Sequence, residues 1–432
     1  MQGTRVSQLS VSFQQAASRL TTRNAINWLE HQPVAAHGLG WLIALFTLPL
    51  SSGLVGRIIK DRPWLVDYDA YACAADTVGK GLSPYSLTPF CDGMNATPYV
   101  YAPQIAQVMA PVVETLGHDL SKTLYLLILG AALTFIGWAG MIRAFPKASP
   151  LLRIPVYAVL TGSSIASGNI GIILHALILL TAFDLDRRRW PFVAAVIFGA
   201  LFKPTLLTCL LVLLYQNRPL KDRILGGAVS GVLGVGAYVL LMKTAGGLSD
   251  DWRTSLQQIV MTDQPGIGFF SWMAWFDLTA QSPVAVALAA VHTALIAGAG
   301  FLMVQFGRLT NMERIIFGLG VAQLVNPRLM DYDILYIAPC LVIMVSLCRQ
   351  AGRRWYNALS WVLLALCSLI LFINLWDANA LPIIPMSGLA FEMVMLFSCG
   401  LLLWVRRHRF MQTVRDIPLP AFRPPVPVTA AE

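Results

Sequence analysis

Apolar runs able to cross a bilayer recur at about 37–56, 122–144, 152–166, 169–185, 190–202, 204–216, 222–244, 283–306, 312–327, 331–348, 356–376 and 387–405. About 20 apolar residues in a helix cover the ~30 Å of hydrocarbon, and there every backbone polar group must be satisfied inside the segment. The chain is therefore read as an all-α polytopic membrane protein with about twelve membrane helices and both termini on one side. A barrel would instead show alternating segments of about 10 residues. Composition agrees: 56% of the 432 residues are hydrophobic and 12% charged, against about 25% charged in soluble domains. Four short runs (152–166, 169–185, 190–202 and 204–216) form two pairs, each meeting at a polar break: Gly168-Asn169 in one, Lys203-Pro204 in the other.

Charge sets the expected orientation. The formal net charge of +9 comes from cations scattered over short loops, which points to membrane orientation and away from nucleic acid. Residues 99–117 are apolar but broken by Pro103 and Pro111, and are read as an interfacial or re-entrant helix. With that assignment, 22 of the 31 Lys and Arg fall on the side of the termini, which the positive-inside rule makes cytoplasmic. The division follows: a cytoplasmic segment 1–36, a transmembrane catalytic domain 37–405 with external loops 57–121 and 247–282, and a cytoplasmic Pro-rich tail 406–432. No apolar core with a small-residue cleavage site follows the N-terminal segment, so a removable signal peptide is not expected. The expected location is the inner, plasma membrane, with the active site on the periplasmic, extracytoplasmic side.

The external stretch from Val66 to Pro111 carries the chemistry: Asp67, Asp69, Asp76, Tyr71, Pro84-Tyr85, and Tyr99, Tyr101 and Pro103. Three further polar clusters share its expected side: Ser167-Gly168-Asn169, Lys203-Pro204, and Asn326-Pro327-Arg328 followed by Asp331-Tyr332-Asp333. Ionisable side chains at membrane depth are costly and face polar cavities. A carboxylate beside cations fits transfer of a sugar from a polyprenyl phosphate. The departing lipid phosphate is stable as an anion and needs Lys or Arg, not a proton. An ionised Asp can take the acceptor hydroxyl's proton. A glycosidase would need a second, protonated carboxyl.

These residues resemble a known family. Asp67-Tyr68-x-x-Tyr71-x-x-Ala74-Ala75, Gly81-x-x-Pro84-Tyr85 and Tyr99-x-Tyr101-x-Pro103 resemble the signature of the polyprenyl-phosphate-mannose-dependent transferases, glycosyltransferase family 87 of the GT-C superfamily (DUF2029-like). Gly168-Asn169 is similar to that family's Gly-Gln-x-Asn segment but lacks the Gln. Lys203-Pro204 and Asn326-Pro327-Arg328-x-x-Asp331-Tyr332 resemble its later segments. The resemblance implies a GT-C-like helical bundle with a periplasmic active-site loop. It also implies an inverting transfer, favouring mannose, from a polyprenyl-phosphate donor to a glycolipid or glycan acceptor. By motif position Asp67 is the base, with Asp69 its rival. Tyr71, Tyr85, Tyr99, Tyr101, Asn169, Lys203, Arg328, Asp331 and Tyr332 are the candidate substrate-binding residues. No cofactor is expected; the donor is a co-substrate, and Asp67 with Asp69 offers at most a weak divalent-metal site.

Blander readings stand beside these. Asp67 can cap a helix at 68–79, Lys203 can snorkel, Arg328 can pair with Asp331 or Asp333, and Tyr99 and Tyr101 can be interfacial aromatics. Asn169 can be a turn former and His175 a packing residue. Trp252, Trp272 and Trp275 can stack on sugar or rest in headgroups. Cys73 and Cys91 share the polar loop and can pair in an oxidising compartment; the other five cysteines read as core residues. The alternative function is a transporter or flippase of a lipid-linked or small polar substrate, which also uses broken helices but often in symmetric repeats.

Overall fold

The computed structural model describes residues 63–143, 150–263, 266–330, 333–375 and 383–416, with the isolated positions Ile58 and Asp61. The expected first span at 37–56, the segment 1–36, the tail from 417, and Asp331 and Tyr332 lie outside the described residues.

Among the described residues the regular structure is all helical, without strands. The helices are α1 (Val66–Gly79), α2 (Pro103–Gly137), α3 (Pro150–Ser167), α4 (Gly171–Ala182) and α5 (Trp190–Phe202). A 3₁₀ turn, Pro204–Leu210, leads into α6 (Leu211–Tyr215) and α7 (Leu220–Lys243). There follow α8 (Ser249–Ser255), α9 (Phe269–Met273), α10 (Pro283–Phe306), α11 (Asn311–Leu324) and α12 (Ile337–Leu347). The last are α13 (Arg353–Leu375), α14 (Ile383–Val405) and α15 (Arg407–Asp416). Four described stretches are long and apolar enough to span a membrane: Pro103–Ile142, Leu220–Lys243, Pro283–Phe306 and Ser387–Val405. Gly171–Ala182, Trp190–Phe202, Pro204–Tyr215 and Ile337–Ala351 are apolar but shorter.

The helices differ in what surrounds them. In α12 nearly every residue from Ile337 to Val345 is buried, and α11 is buried from Ile315 to Leu324. Helices apolar on every side belong inside a bundle. By contrast α7 exposes Ile224, Leu225, Val232, Leu233 and Leu240, too much apolar surface to leave in water. Its outer face suits lipid.

The bundle has two chemically distinct ends. At one, Arg218 bonds the Asp186 carbonyl, Arg314 the Tyr215 carbonyl, and Asn311 the Asp186 carboxylate. Gln350 there ties the Gly307 carbonyl to the Arg406 guanidinium. α4 runs away from the other end, which holds Asp67, over about 18 Å at 1.5 Å per residue, and α5 returns to it. The two loops expected to be external also meet there: Ser83 donates to Asp251 (2.7 Å), Ser255 to the Tyr99 carbonyl (3.0 Å), and the Trp252 indole to the Val100 carbonyl (3.1 Å).

The break expected at Pro103 and Pro111 falls elsewhere: Pro103 starts α2 and Pro111 lies inside it. α2 leaves helical geometry at Gly117 (φ 73, ψ 164), where a side chain would be strained. The part before this kink packs under α1, and the part after it continues as the long apolar stretch.

Candidate active site

α1 is seated by its own first residues. Leu65 adopts the left-handed conformation (φ 53, ψ 38), costly for a branched side chain and held only where packing over-determines it. Here the packing comes from the α3–α4 break, since a β-carbon on Gly168 would lie 3.2 Å from the Leu65 α-carbon. With its start pressed onto this break, α1 delivers Asp67 to Asn169.

Asn169 joins the site together. Its amide nitrogen donates to Asp67 Oδ2 (2.9 Å) and the Tyr101 hydroxyl (3.2 Å). Its amide oxygen accepts from the Gly171 amide (2.9 Å) and from Lys203 Nζ (3.3 Å). Both donors and both acceptor positions are used, so the amide is fixed in one orientation. Lys203 in turn bonds Asp333 Oδ1 at 2.6 Å, with the two side chains 13% and 10% exposed. Gly171 provides the room: a β-carbon there would stand 2.8 Å from Asn169 Oδ1, 3.2 Å from Asp333 Oδ1 and 3.4 Å from Lys203 Nζ.

Tyrosines close the cluster from the side. The Tyr71 hydroxyl donates to Tyr101 (3.1 Å) and accepts from the Ile170 amide (3.2 Å). Burial, and then the Asp67 charge, push the Tyr101 phenol above its ordinary value. Burial does the same at Tyr71. Both stay protonated at neutral pH, so the carboxylates of the group are those of Asp67 and Asp333.

Asp69 lies elsewhere. Two positions along a helix rotate a side chain by about 200°, and Asp69 faces α2 while Asp67 faces the break. Its Oδ1 meets Lys122 Nζ (2.7 Å) and His118 Nε2 (3.0 Å), and its Oδ2 accepts from the Asn95 amide (3.2 Å). Next to it Tyr68 donates to Ser121 (2.5 Å), which donates to the Gly117 carbonyl (2.6 Å). This second cluster clamps α1 onto the kink of α2. The same face carries a disulfide between Cys73 and Cys91, with α-carbons 5.7 Å apart, so the pairing left open in the sequence is present. No group of three or more metal-ligating side chains occurs among the described residues.

Other candidates separate into site and support. Asp67 sits inside the first turn of α1 and Leu65 holds the N-cap position, with no side-chain cap, so the capping reading of Asp67 is replaced by the contact with Asn169. Tyr85 donates to the Tyr101 carbonyl (2.7 Å) and the buried Tyr99 to the Ala102 carbonyl (3.0 Å); both brace the segment that carries Tyr101. Trp252 is buried against Tyr238, a packing residue instead of a sugar platform. His175 is buried with Gln323 (3.3 Å), as a packing residue should be. Arg328 is half-buried, its amide bonded to Asn326 Oδ1 (3.1 Å). Asp333 pairs with Lys203, and the alternative partner of Arg328, Asp331, lies outside the described residues. Asp333 itself escaped selection as a site residue: its partner is 130 positions away, and no local pattern marks that.

Comparison with protein-family models, curated proteins and solved structures returns no match.

Proposed function

We propose that the protein is an integral-membrane inverting glycosyltransferase that moves a sugar, mannose by resemblance, from a polyprenyl phosphate to an acceptor hydroxyl. The observation that carries this reading is the bridging of a carboxylate and an ammonium by one amide: Asp67, Asn169 and Lys203. Asp67 takes the acceptor proton as the hydroxyl oxygen attacks the anomeric carbon from the face opposite the phosphate. The carbon–oxygen bond to the phosphate breaks, and its electron pair leaves on the lipid phosphate. Lys203 and Arg328 offset that charge, with Asp333 orienting the ammonium. Tyr71 and Tyr101 fix the Asp67–Asn169 geometry.

Twelve spans in a GT-C-like bundle, in the inner membrane with the site facing outward, belong to the same proposal. The Cys73–Cys91 disulfide supports an oxidising compartment for the loop. The gathering of arginines at the opposite end supports a cytoplasmic face there.

The test uses membranes containing the full chain and labelled polyprenyl-phosphate mannose. Wild type should form a covalent glycosylated product, and Asp67→Asn should lose transfer while still binding the lipid. Substrate counterflow in proteoliposomes without any covalent product would instead identify a transporter.

A further inference from the structure

A buried ionisable pair lies within the bundle, outside the cluster of Asp67. His292 is on α10, nine residues from its start and so about 14 Å along the axis. Its Nε2 lies 2.7 Å from Glu392 Oε2 on α14, with side chains 10% and 5% exposed. Its Nδ1 is buried without a hydrogen-bond partner, so the bond to Glu392 is the ring's one hydrogen bond among the described residues. Ionisable groups this far along apolar helices are costly and are kept for a task.

What rests on that ring is the segment Gly266–Met273. Phe269 stacks on the imidazole (centroids 4.8 Å apart, planes at 30°), and Trp272 meets it edge-on (5.6 Å, 90°). One turn before Glu392, the segment's backbone lies against α14 so closely that a β-carbon on Gly388 would strike the Ile267 carbonyl. The other edge of the segment is bonded to the turn that carries Arg328. The Ile267 amide donates to the Leu329 carbonyl (2.6 Å), and the Phe270 amide to the Pro327 carbonyl (2.9 Å). The chain of contacts therefore runs from the pair, through two aromatic rings and two backbone hydrogen bonds, to Asn326–Arg328.

We propose that Glu392 and His292 are positioning residues: their hydrogen bond makes the imidazole the seat of Gly266–Met273, and that segment holds the turn that carries Arg328. The link to donor binding rests on the transferase reading; the seating of the segment does not.

The experiment combines hydrogen–deuterium exchange and donor kinetics on the full chain in nanodiscs. Glu392→Ala should speed exchange of the 266–273 amides by about tenfold. It should raise KM for the polyprenyl-phosphate donor about fivefold, with kcat nearly unchanged, as loss of a binding contact does. Glu392→Gln, which keeps an acceptor for the imidazole, should restore both. The double variant His292→Phe with Glu392→Met guards against misfolding, because an apolar pair of similar volume is tolerated where a single unpaired charge is not. It should still release the segment. Wild-type exchange in the double variant and in Glu392→Ala would overturn the proposal, and faster exchange with an unchanged donor KM would overturn the link to the site. If wild type makes no glycosylated product, the transferase reading fails, and the exchange result still decides whether the pair seats the segment.

Discussion

On one face of α1, Asp67 and Tyr71 meet the α3–α4 break; on the other, Asp69 and Cys73 meet the kink of α2 and the loop that Cys91 staples down. The two carboxylates are the same chemical group two residues apart. Asp67 is half-buried beside a neutral amide, with a cation one hydrogen bond further on. Asp69 is wholly buried, and a lysine, a histidine and a backbone amide surround it. Asp69 is thus in direct contact with an ammonium, whereas Asp67 and Lys203 are joined through the Asn169 amide. Under the proposed function, the first face carries the reacting carboxylate and the second anchors the helix.

Substitutions on the two faces should therefore separate activity from stability. Lys203→Met should lower transfer by about 10³-fold, or about 4 kcal/mol of transition-state stabilisation, with a melting temperature in detergent that falls far less. Loss of folding instead would move Lys203 and Asp333 to the structural side of the comparison. Asp69→Ala should do the reverse, costing ~3 kcal/mol of stability. That is the low end for breaking a buried pair, because Lys122 is 26% exposed and can reach water. Thermal unfolding checks it, and what folded protein remains should keep most of its transfer. Removing the staple with Cys73→Ser and Cys91→Ser should cost about 3 kcal/mol, as expected for opening a loop of this length. The same loss should appear in wild type treated with a reductant. Tyr101→Phe, which removes two hydrogen bonds beside Asp67, should cost about 1 kcal/mol, seen as a several-fold drop in transfer with little change in melting.

Much of this contrast was written in the local sequence. Helical periodicity alone puts Asp67 with Tyr71 and Asp69 with Cys73, which is enough to set the rival carboxylates on different faces. Pro103 and Pro111 announced a broken apolar stretch, although the interruption itself falls at Gly117. Lys203-Pro204 and Gly168-Asn169 marked helix ends correctly. What local pattern withheld was partnership. His118 and Lys122 lie 49 and 53 positions from Asp69, and His292 lies 100 from Glu392. Lone residues in apolar helices look alike until folding brings their counterparts close. Nor did local pattern show that Tyr85, Tyr99 and Trp252 donate to the backbone carbonyls of Tyr101, Ala102 and Val100.

The assignment of Asp67 as the proton acceptor is tested most directly by chemical rescue. Transfer from labelled polyprenyl-phosphate mannose is measured for Asp67→Ala with and without formate, a small carboxylate able to enter the space left behind. The account predicts almost no product without formate and a marked recovery with it. Wild-type product from Asp67→Ala in the absence of formate would contradict the account.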